Sequence, residues 1–164
     1  MSFRVGIGYD VHKLEAGYDL CLGGIVIPHT TGTVGHSDGD VLIHAIIDAL
    51  LGAAALGDIG THFPDTKAEY KGIDSKVLLK KTCQMISSNG YTIKNIDSTI
   101  CLQEPTLKNY IFAMREVLSR EMDIEIEKIS IKATTTEELG FVGEKKGVSA
   151  RAVALLERKI SSTK

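Results

Sequence analysis

The sequence predicts a single α+β domain, spanning residues 1–164, in which a layer of helices packs on a mixed sheet. Three observations carry this. The chain has 164 residues, 43% hydrophobic and 24% charged, the size and balance of one globular domain with a real core. Segments with a period of two alternate with segments that are apolar at helical spacing, in the order β, ββ, α, α, β, α, β, β. No internal repeat or low-complexity run breaks that order.

Each element has its own signal. In "FRVGIGYDVH", Phe3, Val5, Ile7 and Tyr9 share one face, and Arg4, Gly6, Gly8, Asp10 and His12 share the other. A period of two is the mark of a half-buried strand. "YDLCLGGIVIPHT" reads as a hairpin, with Gly23-Gly24 as the turn and Pro28 ending the second arm. A polar stretch, "HTTGTVGHSDGD", leads into a helix, "VLIHAIIDALLGAAAL", with Ser37 or Asp38 as its cap and a stop near Gly57. The following 57–74 segment is long for a connecting loop, and such loops tend to be functional. "DSKVLLKKTCQMISSNG" is a second helix, capped by Asp74 or Ser75 and stopped by Gly90. "YTIKNIDSTICLQ" is a strand whose alternation slips near Asn95, the sign of a bulge. A third helix runs from about Leu107 to Met122. "KISIKATTT" is a strand with Ile129, Ile131 and Ala133 on one face. In the tail, Val148, Ala150, Ala152, Ala154 and Leu156 alternate after Gly147, which favours strand over helix.

Bulk properties exclude several function classes. A net charge of −2 argues against a nucleic-acid face or a polybasic membrane patch. The longest apolar run is broken by His44 and Asp48, so no membrane span is expected. The first residues enter a strand directly, with no targeting leader expected. Three cysteines without C-x-x-C spacing suit packing in a reducing compartment, so the cytoplasm is the expected location.

Chemistry gathers on the first strand and first helix. Asp10 and His12, at i and i+2, point the same way; alone they form either a surface pair or part of a metal site. Asp40, His44 and Asp48 stand at i, i+4 and i+8, one stripe on an otherwise apolar helix. Either this stripe is the exposed face of the helix, or it is buried and its two carboxylates and imidazole have to be paired or bind a cation. If the fold brings His44 beside Asp10 and His12, which the sequence alone does not show, the three form a ligand set with an open fourth position, as in catalytic zinc sites, and Asp40 or Asp48 could orient an imidazole from behind. "GHSDGD" brings His36 and Ser37 to a helix N-terminus, where free N–H groups suit a phosphate or where Ser37 is simply a cap. "ATTTEELGF" sets three threonines at a strand end, and "GDIG" sets Asp58 between two glycines; both also read as ordinary strand and turn.

In order and spacing, "DVH", "HSDGDVLIHAIIDALLGAAALGDIGTHFPDT", "GIDSKVLL" and "KATTTEELGFVGE" resemble the 2-C-methyl-D-erythritol 2,4-cyclodiphosphate synthase family of the non-mevalonate isoprenoid pathway, from Arg4 to Leu156. The resemblance implies a ferredoxin-like mixed sheet with helices on one face, and a homotrimer with active sites at subunit interfaces. It implies one Zn²⁺ per subunit on Asp10, His12 and His44, and a second divalent ion, Mg²⁺ or Mn²⁺, arriving with substrate. Asp10 and His12 also touch substrate there. His36 and Ser37 lie beside metal and phosphates, and His36 and Thr135 assist catalysis. Asp58 and Gly60 match positions at the substrate's ribose, and Ile59 between them also matches a substrate-binding position; Phe63, Pro64, Asp65, Thr66 and Lys67 match a mobile loop over the substrate.

A cytidine diphosphate pocket from a neighbouring subunit maps to Leu102, Thr106, Leu107 and Lys108, and to Ala133, Thr134, Thr135, Thr136 and Glu137. Phe141 matches a residue lining a channel on the trimer axis. Two departures from the family are visible: Thr106 replaces a lysine found in some relatives, and Glu144 stands where an arginine is common. The implied reaction is intramolecular attack of a 2-phosphate on a cytidine diphosphate arm, releasing CMP; a zinc-dependent phosphoester hydrolase is the alternative. No nucleic-acid or membrane partner is expected.

Overall fold

The alternation of the first segment forms strand β1 (Phe3–Ala16), with its small residues facing inward. Gly6 and Gly8 are buried, while Val5 and Ile7 are 68% and 71% exposed. The reason is helix α1 (Val41–Ala54), which lies directly on β1 in this computed structural model, where residues 2–159 are described. A Cβ on Gly8 would stand 1.9 Å from the Ala45 carbonyl oxygen, and one on Gly6 would stand 2.1 Å from that of Ala49. Only glycine lets helix and strand backbones come this close. The helix supplies the large side chains of the core instead: Leu42, Ile43, Ile46, Ile47, Leu50 and Leu51 are fully buried.

The main sheet has the order β4-β1-β7-β5-β6, built from β4 (Thr31–Val34), β5 (Tyr91–Cys101), β6 (Ile129–Thr134) and β7 (Gly147–Arg158) around β1. Every pairing is antiparallel except β5 with β6. The hairpin of β2 (Leu20–Leu22) and β3 (Ile25–Ile27) stands apart, with Gly23 and Gly24 at φ +60° and +78° in its turn. The C-terminal tail is a strand, and its alternating Val148, Ala150, Ala152, Ala154 and Leu156 are all buried under α1 and its neighbours. The slip near Asn95 is a register shift between Ile93 and Asn95.

The strand order corrects the ferredoxin-like expectation. That fold splits both of its strand–helix–strand units by inserting a strand between the joined pair. Here β7 does separate β1 from β5, but α4 (Ile111–Met122) joins β5 and β6, which pair directly in parallel. The coarser α+β prediction stands.

Other local differences have physical causes. "TGTV" is strand β4, because the long β1 runs past β7 and pairs Lys13–Ala16 with it. Helix α1 is capped by Asp40, not Ser37 or Asp38, and it stops at Ala55 in the left-handed region. The 57–74 segment contains a short helix, α2 (Ile59–His62), and a 3₁₀ turn at Ala68–Tyr70. Helix α3 (Ser75–Ser88) is capped by Asp74, and α4 begins four residues later than expected. A last short helix, α5 (Gly140–Gly143), precedes β7.

The helices leave one face of β1 and β7 uncovered. Phe3, Val5, Ile7, Tyr9, Val11 and Val153 are each at least 41% exposed there.

Candidate metal centre and substrate cavity

Two elements meet at the site. β1 carries Asp10 and His12 on its inward face, just past the two glycines. The close approach at those glycines brings the first turn of α1, and His44 with it, onto the same spot. His12 Nε2 lies 3.1 Å from His44 Nδ1, and Asp10 Oδ2 lies 3.0 Å from each. Among the described residues these are the group of His, Cys, Asp and Glu side chains able to share a metal ion.

The donor set fits a metal. His12 Nδ1–H donates to the Val34 carbonyl at 2.9 Å, which turns the lone pair of Nε2 toward the centre. Burial raises the Asp10 pKa, but contacts with His12 and His44 outweigh it and hold the carboxyl well below the usual carboxylate range. Burial lowers the His12 pKa, and its contact with Asp10 reverses this, for a net rise. With His12 protonated at Nδ1, the Asp10 carboxylate and the inner nitrogens of His12 and His44 converge at 3.0–3.1 Å, an arrangement that a shared proton or a metal cation among them satisfies. Tetrahedral zinc with bonds of about 2.0–2.1 Å spaces its ligand atoms by roughly 3.3 Å, close to what is found. The side chains are 27% (Asp10), 15% (His12) and 12% (His44) exposed, so the centre opens to one side.

Behind the ligands, Ser37 Oγ and Ser75 Oγ face His44 Nε2 at 3.1 and 2.9 Å. The other two members of the sequence stripe do different work. Asp40 is fully buried and accepts N–H groups of Gly23, Gly24 and Ile43, which ties the hairpin turn to the start of α1. Asp48 accepts the Ile59 N–H at 2.8 Å and so positions α2. Neither orients an imidazole, which corrects that part of the sequence reading.

A cavity of about 390 Å³ adjoins the centre. His12, His36, Ser37, His44, Ile59, Gly60, Phe63, Pro64 and Asp65, all among the residues singled out in the sequence, line it. Tyr70, Ile73 and Leu78 also line it and were not anticipated; only their apolar character hinted at it. Tyr70 meets Phe63 edge-on at 5.7 Å. Asp58 lies just outside as the cap of α2, accepting from the Thr61 N–H and hydroxyl. Thr66 and Lys67 are exposed in the turn beyond Asp65.

A second cavity of about 390 Å³ is lined by Leu102, Thr106, Leu107, Lys108, Ala133, Thr134 and Thr135, with Gln103, Pro105 and Ile111. It shares no lining residue with the first. Thr136 and Glu137 form the turn beyond it, where Thr135 Oγ1–H donates to Glu137 at 3.2 Å. Phe141 is exposed on α5 and lies over Gly147. Within one chain, then, the predicted site residues fall into two separate groups.

Fold and site together define an α+β protein with a three-ligand metal centre at the mouth of a ligand-sized cavity. The YgbB family model matches residues 3–157, and the chain belongs to that family. A 2-C-methyl-D-erythritol 2,4-cyclodiphosphate synthase of Bacteroides fragilis is 57% identical over 96% of this chain and 99% of its own length. The structure of the bifunctional IspDF from Campylobacter jejuni superposes with a TM-score of 0.92 at 40% identity, covering 96% of this chain; the chain spans 42% of that longer protein. The CDP complex of IspF from Plasmodium falciparum gives a TM-score of 0.85 at 34% identity, covering 97% of this chain and 98% of that one. Among the described residues, no helix is long and apolar enough to cross a membrane.

Proposed function

We propose that this protein catalyses the reaction for which its relatives are named. It converts 4-diphosphocytidyl-2-C-methyl-D-erythritol 2-phosphate to 2-C-methyl-D-erythritol 2,4-cyclodiphosphate and CMP. The observation that carries the reading is the convergence of Asp10, His12 and His44 at the mouth of a cavity shared with His36 and Ser37. An oxygen of the 2-phosphate attacks the β-phosphorus. The bond from that phosphorus to the bridging oxygen breaks, and its electron pair leaves with CMP. The attacking phosphate is ionised at neutral pH, so no general base is required.

Most of the catalytic task is bending a polyanion until nucleophile and phosphorus align. Asp10, His12 and His44 would hold a Zn²⁺ ion, and that ion, with a second divalent ion (Mg²⁺ or Mn²⁺) arriving with substrate, would supply charge neutralisation at the phosphates. Ser37 and His36 orient the phosphates from the start of α1, and Thr135 stabilises charge on the transferring group. Asp58 and Gly60 meet the substrate's ribose, on the short helix that Asp48 positions through the Ile59 N–H. Phe63, Pro64 and Tyr70 exclude water.

The active form is a homotrimer in the cytoplasm, in which the second cavity, from Leu102 to Lys108 and Ala133 to Thr135, receives the cytidine diphosphate of a neighbouring subunit's substrate. Two features support this: the uncovered apolar face of β1 and β7, and the separation of the two cavities within one chain. No observation favours the hydrolase alternative. The carboxylates that could serve as its base, Asp40 and Asp48, are both engaged by backbone N–H groups.

Phosphorus NMR of the purified protein with substrate and Mg²⁺ tests the reading. Two coupled diphosphate resonances plus CMP, abolished by a zinc chelator, are expected. Free monophosphate or an open diphosphate would overturn it.

A further inference from the structure

His44 Nε2 faces two hydroxyls, Ser75 Oγ at 2.9 Å and Ser37 Oγ at 3.1 Å, and has one proton to give. We propose that Ser75, backed by Asp38, takes that proton's hydrogen bond and fixes the ring as a metal ligand, leaving the Ser37 hydroxyl to the substrate. Ser75 and Asp38 are thereby positioning residues. The proposal rests on the reading of Asp10, His12 and His44 as metal ligands.

The two hydroxyls sit in different surroundings. Ser75 is fully buried at the start of α3 and lines neither of the two cavities described above, whereas Ser37 lines the one beside the metal centre. The Ser75 hydroxyl hydrogen is committed: it donates to Asp38 Oδ1. Asp38 Oδ2 accepts the Ser75 N–H at 3.0 Å, and Oδ1 also accepts the Asp40 N–H at 3.2 Å. The carboxylate is thus clamped from two segments and cannot rotate away. A hydroxyl whose hydrogen is spent on a carboxylate presents only lone pairs to its other neighbours. His44 Nε2 must therefore carry the proton at 2.9 Å, and Nδ1, aimed at Asp10 and His12, is left bare.

This mirrors His12, whose outer nitrogen is fixed by the Val34 carbonyl. The two ligating imidazoles are locked by different means, one by a backbone carbonyl and one by a serine–aspartate relay. Outer partners of this kind set ring orientation and raise ligand basicity. Ser37 Oγ accepts only the Gly39 N–H, at a long 3.3 Å, so its hydrogen is free to turn toward a phosphate in the cavity.

The test uses the zinc-loaded protein and two readouts apart from turnover. Long-range ¹H–¹⁵N spectra of wild type should show His44 protonated at Nε2, with slow exchange because Ser75 is buried. Chelator competition should show zinc bound about 10- to 100-fold more weakly by Ser75→Ala. Ser37→Ala should bind zinc close to wild type. Ser75→Ala keeps its backbone N–H to Asp38, so the tie between the 35–40 loop and α3 survives, and melting of the metal-free variant reports that tie separately. Equal zinc affinity in wild type and Ser75→Ala overturns the proposal, as does a loss confined to Ser37→Ala. Should Ser75→Ala fail to fold, the wild-type spectrum decides: a bare or rapidly exchanging Nε2 overturns it. A wild type that binds no zinc is a different result, and it removes the metal reading itself.

Discussion

Asp40 is the residue whose role changes most between sequence and structure, and its replacement separates two accounts of the α1 stripe. If Asp40 served the metal, Asp40→Asn would weaken metal binding. The structure assigns it to the backbone: Oδ1 accepts the Gly23 and Ile43 N–H groups at 3.0 Å, and Oδ2 accepts the Gly24 N–H at 2.6 Å. In Asp40→Ala the helix cap is lost, which costs about 1 kcal/mol. The N–H groups of Gly23 and Gly24 are left without acceptors, at about 1–3 kcal/mol each. Burial pushes the Asp40 carboxyl pKa up, so removing the carboxylate returns some of this cost. The net loss is then about 3 kcal/mol, near the lower end of that sum. For a chain of this length that lowers Tm by roughly 6–12 °C. Asp40→Asn keeps one acceptor oxygen but turns an amide toward a backbone donor, and it should fall between wild type and Asp40→Ala. The assay is thermal melting by circular dichroism at fixed protein concentration, with zinc content measured on the same samples. An Asp40→Asn variant with wild-type Tm and lost zinc would refute the reasoning.

Three further outcomes follow from the geometry. Gly8→Ala places a methyl 1.9 Å from the Ala45 carbonyl oxygen, so α1 must move off β1 and carry His44 away from Asp10 and His12. It should cost about 1–3 kcal/mol or more and reduce zinc affinity together with Tm, and a variant that retains both would contradict the close-approach argument. Mixing inactive His12→Ala chains with inactive Thr135→Val chains under conditions of subunit exchange should restore about a quarter of wild-type activity, because a quarter of the composite sites then draw both intact halves. No recovery, with exchange demonstrated by mass spectrometry, would place both halves in one chain. Burial pushes the Cys21 thiol up to about 11 and the Cys83 thiol up to about 12. At pH 8 both should therefore alkylate at least about a hundredfold more slowly than in the denatured chain; rapid labelling of either in the folded protein would contradict that burial.

Much of this site was legible in the sequence because its ligands lie on regular elements. Period two put Asp10 and His12 on one face, and helical spacing put His44 on the stripe that meets them. The tail strand was legible from the alternation of small residues, despite the helical leanings of alanine and leucine. What periodicity cannot give is the partner across a gap. It showed that Asp40 and Asp48 shared a face with His44, not that backbone N–H groups of a hairpin and of α2 awaited them. Ser75 looked like a helix cap because its contact with His44 spans 31 residues of sequence. β4 was hidden because a four-residue polar run becomes a strand only when the overhang of β1 offers it pairing. The strand order escaped for the same reason: inserting β7 between β1 and β5 is a tertiary choice that no local pattern records.

The central claim is that this site closes a ring by phosphate attack instead of admitting water. Mass spectrometry of the reaction run in H₂¹⁸O tests it directly. The account predicts a cyclic diphosphate and CMP that both carry no ¹⁸O. One ¹⁸O atom in either product, with no ring formed, would show that water is the nucleophile and contradict the account.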